Sequence, residues 1–189
     1  MTDSATLPVI LTVSANLRAA RQRKGLSQEK LAAAAGVSRR MLVNIEAGES
    51  NVSLATLDRL ASALGLSFAE LVHEAGTDPA SPVRVWQRSD SHGTLLQSVR
   101  QGRQTVELWQ WQLGAGERYD ADADPAGSHE IVYVVAGTLR LELPEEVRQL
   151  SAGDSIAYAS DCRYTYLNPG STPLVFTKNV LLAGAGTAE

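Results

Sequence analysis

Four side chains between positions 39 and 44 carry chemistry suited to reading a base pair. Arg39 and Arg40 bring guanidinium forks that pair with O6 and N7 of guanine. Asn44 brings an amide that pairs with N6 and N7 of adenine, and Val43 can touch a thymine methyl. Two arginines alone would be an ordinary solvated face, so the frame around them decides their meaning. A second group of reactive types lies further along: Asp120, Asp122 and Asp124 in the run DADAD, then Glu130, Tyr133, Tyr158, Arg163, Tyr164 and Tyr166. These acids and phenols could line a pocket whose mouth faces a cationic ligand. Catalytic patterns are thin. There is no Ser/His/Asp set, no glycine loop for phosphate and no zinc-ligand spacing. The only histidines are His73, His92 and His129. The single cysteine, Cys162, excludes an intramolecular disulfide and cysteine-only zinc sites, and reads as a small packed residue.

The elements that must position the first group are helical. Ser27 is an N-cap type, with Gln28 and Glu29 in the first turn, and Leu31, Ala32 and Ala35 recur at helical spacing. Gly36 interrupts where positive φ is expected, Val37 plugs the turn, and Ser38 caps a second helix. Its Leu42 and Ile45 face inward while Arg39, Arg40, Val43 and Asn44 face out, and Glu46 takes a structural part at the helix end. One bracing helix followed by one that presents its N-terminal side chains is the arrangement a helix-turn-helix needs to enter the major groove. A preceding helix is expected over 14–24, a fourth over 54–64, and a fifth opened by the capping box Ser67 to Glu70. Pro8 argues against a regular helix in residues 1–13, which read as an N-terminal arm.

Beyond residue 73 the pattern changes. Residues 74–82 have the Gly, Ser and Pro of a linker. Eight short β-rich runs follow at 83–88, 94–99, 105–113, 130–135, 138–143, 155–159, 164–167 and 174–182, separated by turn residues, as in a sandwich or jelly roll. Trp109 and Trp111 share one face of their strand and read as packing residues. The expected division is an arm (1–13), a five-helix all-α domain (14–73), a linker (74–82), an all-β domain (83–182) and a frayed tail (183–189).

Charge divides along the same line. Of the 189 residues, 1–73 carry eight basic against six acidic side chains, and 74–189 carry nine against fifteen. A mildly basic head on an acidic body suits a protein that grips a polyanion at one end. The apolar share of 44% and charged share of 20% are those of a globular chain. No apolar run approaches the roughly 20 residues of a membrane span, and residues 5–13 lack the basic leader of a signal peptide. The expectation is a cytoplasmic protein with no membrane partner.

Residues 14–73 resemble the Cro/C1-type helix-turn-helix regulators, the XRE family, through GLSQEKLA at 25–32, AGVSRRML at 35–42, IEAGE at 45–49, SLATLDRLASALG at 53–65 and FAEL at 68–71. The resemblance implies phosphate contacts from Ser27, Gln28 and Ser38, and places Arg39, Arg40 and Asn44 toward base edges. The second half resembles the small cupins, which are double-stranded β-helix domains, through residues 114–137 and 152–168 with Glu130, Gly137, Gly153, Asp154, Asp161 and Asn168 in place. Metal-binding cupins carry three histidines and a glutamate, and the positions that match them here hold Asp122, Asp124, Glu130 and Tyr164. A first-row metal prefers imidazole. The expectation is therefore a barrel without metal or other cofactor, whose Asp122, Asp124, Glu130, Tyr133, Tyr158, Tyr164 and Tyr166 face a small-molecule effector. Together the two resemblances imply a non-enzymatic transcriptional regulator, by family a repressor, that binds an operator in double-stranded DNA as a homodimer. The rival expectations are a cupin isomerase or oxygenase with a regulatory head, and an antitoxin-type interaction protein.

Overall fold

The computed structural model describes residues 8–49, 52–74, 76–78, 81–102 and 104–183. Most of the expected arm (residues 1–7) and nearly all of the tail (184–189) lie outside the described residues. Five helices come first: α1 (Ile10–Arg23), α2 (Gln28–Ala35), α3 (Arg39–Ala47), α4 (Leu54–Ala63) and α5 (Phe68–Val72). The hydroxyls of Ser27, Ser38, Ser53 and Ser67 each accept the backbone N–H three residues on, and Glu70 completes the box with Ser67. Gly36 and Gly48 close α2 and α3 in the left-handed conformation. Leu17, Leu31, Leu42, Ile45, Leu57, Leu60 and Leu71 are fully buried and make the core of this bundle. One boundary differs from the expectation. Helix α1 starts at Ile10, so residues 10–13 belong to it rather than to an arm, and Val13 is buried. Pro8 lies ahead of the first helical residue, where its missing N–H breaks no helical bond.

Ten strands follow: β1 (Val83–Arg88), β2 (Ser91–Gln101), β3 (Gln104–Leu113), β4 (Arg118–Ala121), β5 (His129–Ala136), β6 (Thr138–Glu142), β7 (Val147–Ser151), β8 (Ser155–Ala159), β9 (Tyr164–Leu167) and β10 (Leu174–Leu182). They form two antiparallel sheets, ordered β1-β2-β3-β10-β5-β8 and β4-β9-β6-β7. β4 and β7 were absent from the sequence expectation because their sequences, RYDA and VRQLS, are short and mostly polar. They pair along one sheet and each buries one side chain, Ala121 and Leu150.

The space between the sheets is aromatic. Trp111 stacks on Phe176 with centroids 6.3 Å apart and meets Tyr119 at 4.4 Å, and Tyr166 meets Phe176 edge-on at 4.8 Å. Gly93 passes directly over Trp111, so that a Cβ there would come within 2.8 Å of the indole. Asn168 ties the strand ends: its amide donates to the carbonyls of Leu113, Gly114 and Thr172, and its Oδ1 accepts from the Gly170 N–H.

The helical bundle sits on one end of the sandwich. Phe68 of α5 packs against Trp109 of β3 at 5.6 Å, and Arg100 donates to the carbonyl of Gly65 at 3.1 Å. The His73 ring lies between the carbonyls of Ala69 and Ser81 at 2.8 and 2.9 Å, joining the end of the bundle to the start of the β region.

Candidate nucleic-acid interface and barrel cavity

Helix α3 is fixed from behind and free in front. Its rear is held by Glu46, 3% exposed, which accepts from Arg21 Nε at 2.6 Å, Arg21 Nη2 at 2.9 Å and Gln28 Nε2 at 2.9 Å. Burial alone would raise the Glu46 carboxyl, but the Arg21 and Gln28 hydrogen bonds outweigh it and hold the group below the usual carboxylate range. Arg18 donates to the Glu46 carbonyl at 2.6 Å and Ser14 Oγ to the Ile45 carbonyl at 2.7 Å, so α1 clamps the C-terminal turn of α3. The front carries Arg39, Arg40 and Val43, all exposed, with Asn44 half-buried. Met41, also exposed, shares this front and escaped the sequence expectation.

Arg21 is a clamp residue rather than a free cation. One expectation needs adjustment here. Gln28, expected on a phosphate, already spends one amide N–H on Glu46, because its position in the first turn of α2 faces the end of α3. Ser27 and Ser38 are exposed at the starts of α2 and α3, where their oxygens accept backbone N–H groups and their hydroxyl protons remain available.

In the β domain, Glu130 of β5 is wholly buried and fully engaged. Its Oε1 accepts from Tyr164 at 2.7 Å and from the Lys178 ammonium of β10 at 2.5 Å, and its Oε2 accepts from Tyr158 and Tyr166. Burial pushes the carboxyl up, and the Lys178 charge and the hydroxyl bonds more than reverse that, leaving it below its ordinary value. Burial, followed by the Glu130 charge, drives all three phenols well above theirs. Lys178 also lies 5.5 Å from the ring centres of Trp111 and Tyr166 and 5.9 Å from that of Tyr164. Glu130, Tyr158, Tyr164 and Tyr166, each expected to face an effector, thus meet in one hydrogen-bonded cluster, which also holds Lys178, a residue the sequence expectation missed. The available signal was a lone lysine at an inward position of the apolar strand LVFTKNVLL.

Tyr133 is a correction. It is 49% exposed, because three residues along a strand from the inward Glu130 the side chain points to the opposite face. Arg163 likewise extends into solvent, 3.4 Å from Asp122. The DADAD run does not form one row: β4 ends at Ala121, Asp120 pairs outside with Arg118 and Thr165, and Asp124 turns in after the strand.

A cavity of about 40 Å³ lies between the helical head and this end of the β domain. Asp58 and Phe68 of the head face Glu107, Trp109, Asp122, Asp124 and Lys178 of the β domain across it. Burial raises Glu107 to about 8, and Asp58 and Asp124 to about 6. Glu107 Oε2 accepts from Trp109 Nε1 at 2.9 Å, while Oε1 and the Asp124 Oδ2 have no hydrogen-bond partner among the described residues. Sequence reasoning missed Asp58 and Glu107, although Glu107 shares strand parity with the packed Trp109 and Trp111.

The four positions that hold metal in related cupins do not fit a first-row transition metal. Both oxygens of Glu130 are taken by an ammonium and three phenols, Asp122 is half exposed, and among the described residues no three His, Cys, Asp or Glu side chains are grouped as metal ligands.

A family model described as Helix-turn-helix matches residues 17–71, and one described as Cupin domain matches residues 109–181. The HTH-type transcriptional regulator SutR of Escherichia coli (strain K12) is 29% identical over 164 residues, 87% of this chain and 91% of that protein. The uncharacterized HTH-type transcriptional regulator y4dJ of Sinorhizobium fredii is 40% identical over 67 residues, 35% of this chain and 87% of that protein. A solved HTH_3 family transcriptional regulator from Vibrio cholerae is 25% identical with a TM-score of 0.68, covering 94% of this chain and 98% of that one.

Proposed function

Because the chain belongs to the XRE-type helix-turn-helix family of DNA-binding transcription regulators and carries a cupin domain behind its head, we propose that it represses transcription as a homodimer on a pseudo-palindromic operator, with its barrel sensing a small molecule. The observation that carries this reading is the two-sided character of α3. Its rear is locked by Glu46, Arg21 and Gln28, while Arg39, Arg40, Val43 and Asn44 stand on the free side. A rigidly mounted helix with bidentate donors at its N-terminal end is what direct readout in the major groove requires. Ser27, Ser38 and, through its second amide proton, Gln28 serve the phosphates. The cupin domain is a jelly roll in this reading, and Glu130 with its three tyrosines is the barrel's structural floor.

Pairing of two chains is supported by the head's small excess of positive charge, which offers few phosphate contacts per copy. It is also supported by apolar side chains on the outer face of the six-stranded sheet. Val99, Val106 and Leu181 run across β2, β3 and β10 in register, and Ile131, Tyr133 and Val135 follow on β5, all exposed. Two heads held about 34 Å apart would meet half-sites one turn apart. The test is a gel shift at fixed salt on a duplex selected from a random pool. Arg39→Ala and Arg40→Ala are each expected to weaken specific binding by about 5- to 150-fold, as about 1–3 kcal/mol per bidentate contact implies. Sedimentation of the wild-type complex is expected to give two chains per duplex. Unchanged sequence preference in both variants would remove α3 as the reader.

A further inference from the structure

The cavity between head and β domain differs from the Glu130 cluster at its edge in one respect: two of its acid oxygens, Glu107 Oε1 and Asp124 Oδ2, are buried without a hydrogen-bond partner among the described residues. Glu107 is 4% exposed, lines the cavity, and leaves Oε1 without a hydrogen-bond partner among the described residues. A buried acceptor of this kind is costly to leave unmatched unless something donates to it. Asp124 Oδ2 is in the same condition, and Asp58 approaches from α4 on the other side. Counting Asp122 and Glu130, five carboxyl groups line the space against the single ammonium of Lys178.

Between the acids, four aromatic side chains, Phe68, Trp109, Tyr119 and Tyr164, share the walls with aliphatic ones. Carboxylates set among ring faces suit an organic cation, which gains from both. The protein already holds one such cation, since Lys178 places its ammonium on Glu130 beneath the faces of Trp111, Tyr164 and Tyr166. A metal ion would need ligands that converge, and no such group occurs among the described residues. The volume of about 40 Å³ holds roughly three water-sized groups, which limits the occupant to a small head group.

We propose that this seam binds a small alkylammonium ion, with Asp58 and Glu107 as its carboxylate partners, Glu107 releasing its proton to solvent as the cation enters. The inference rests on the sensor role proposed above and gives it a location and a ligand class. Its consequence is mechanical. Asp58 belongs to the helical head and Glu107 to the barrel, so an ion bridging them ties the reading head to the body. Such a ligand shifts DNA affinity by the difference in its affinity for the arrangements that do and do not bind DNA.

The experiment is calorimetric titration of the full chain with methylammonium chloride, with potassium chloride at equal ionic strength and calcium chloride as controls. Saturable one-site binding of methylammonium is expected, weakened at least tenfold in Glu107→Gln and in Asp58→Asn. Circular dichroism melts verify that each variant is folded, and the wild-type titration decides the question even if one is not. A methylammonium response no larger than that to potassium, a response to calcium alone, or binding unchanged in both folded variants would overturn the proposal. Duplex selection from a random pool separates this site from the regulatory reading. Sequence enrichment without methylammonium binding removes the site and leaves the regulator. Methylammonium binding without enrichment keeps the site and removes the regulator.

Discussion

Glu107 and Glu130 face the same interior from the two strands that flank β10 in one sheet, yet their environments push them in opposite directions. Glu130 is surrounded by donors and stays ionised. Glu107 has one indole N–H, and burial, with the Asp58 charge across the cavity, raises it to about 8 against an ordinary 4.5. The folded chain therefore holds a proton there that the unfolded chain has released between those values. The stability associated with the protonated carboxyl is fully present below about pH 4.5 and is lost as pH rises through about 8. Asp58 and Asp124, raised to about 6 by burial, act in the same direction over a lower window; Lys178 opposes the rise of Glu107 and Asp124, and Arg100 that of Asp58. The melting temperature of the wild type is thus expected to fall from pH 5 to pH 8.5, and that of Glu107→Gln to fall less, as read by calorimetry across that range. Parallel curves would show that Glu107 does not titrate there. For the Glu130 cluster, Lys178→Met leaves a buried carboxylate without its cation and is expected to cost about 3–5 kcal/mol in urea unfolding. Adding Glu130→Leu to Lys178→Met is expected to recover part of that loss, because the charge left behind is then gone.

At the scale of elements, α2 to α5 are each opened by a serine and α2 and α3 are closed by glycines, so their limits were readable from capping chemistry. α1 lacks an N-cap hydrogen bond, and its start at Ile10 was accordingly misjudged. Strands with alternating apolar residues were equally readable. β4 and β7 were not, because a short edge or polar strand owes its existence to the neighbour that pairs with it. Glycines differ in what they demand. Gly36, at φ +64°, has open space around its missing Cβ, so alanine there pays only the left-handed backbone strain of about 1 kcal/mol. Gly137, at φ +83°, would set a Cβ 3.0 Å from both the Leu174 Cα and the Pro173 carbonyl oxygen, backbone atoms that cannot step aside. Gly137→Ala is expected to lose clearly more stability than Gly36→Ala, by about 2 kcal/mol or more, in matched thermal melts.

At the scale of the whole molecule, the head and barrel meet through Phe68, Trp109 and the Arg100 bond to Gly65, with the shared cavity beside them. Phe68→Ala is expected to cost about 3–5 kcal/mol and to split one melting transition into two, since it empties the packed side of the joint. A single transition at the original temperature would mean that the two parts unfold independently of this contact. The sequence by itself determined the helical head, its outward Arg39, Arg40, Val43 and Asn44, the β class of the second half, and the company of Glu130 with Tyr158, Tyr164 and Tyr166. The first three follow from local rules, capping and helical and strand periodicity, and the last from motif positions shared with the cupins. Only the tertiary structure decided that Tyr133 points away, that Arg21 and Gln28 brace Glu46, that Lys178 neutralises Glu130, and that Asp58 faces Glu107. Each of these depends on which side chains from distant parts of the chain meet in a space from which water is excluded, and it is that exclusion which makes an ammonium necessary beside Glu130 and leaves Glu107 without a partner.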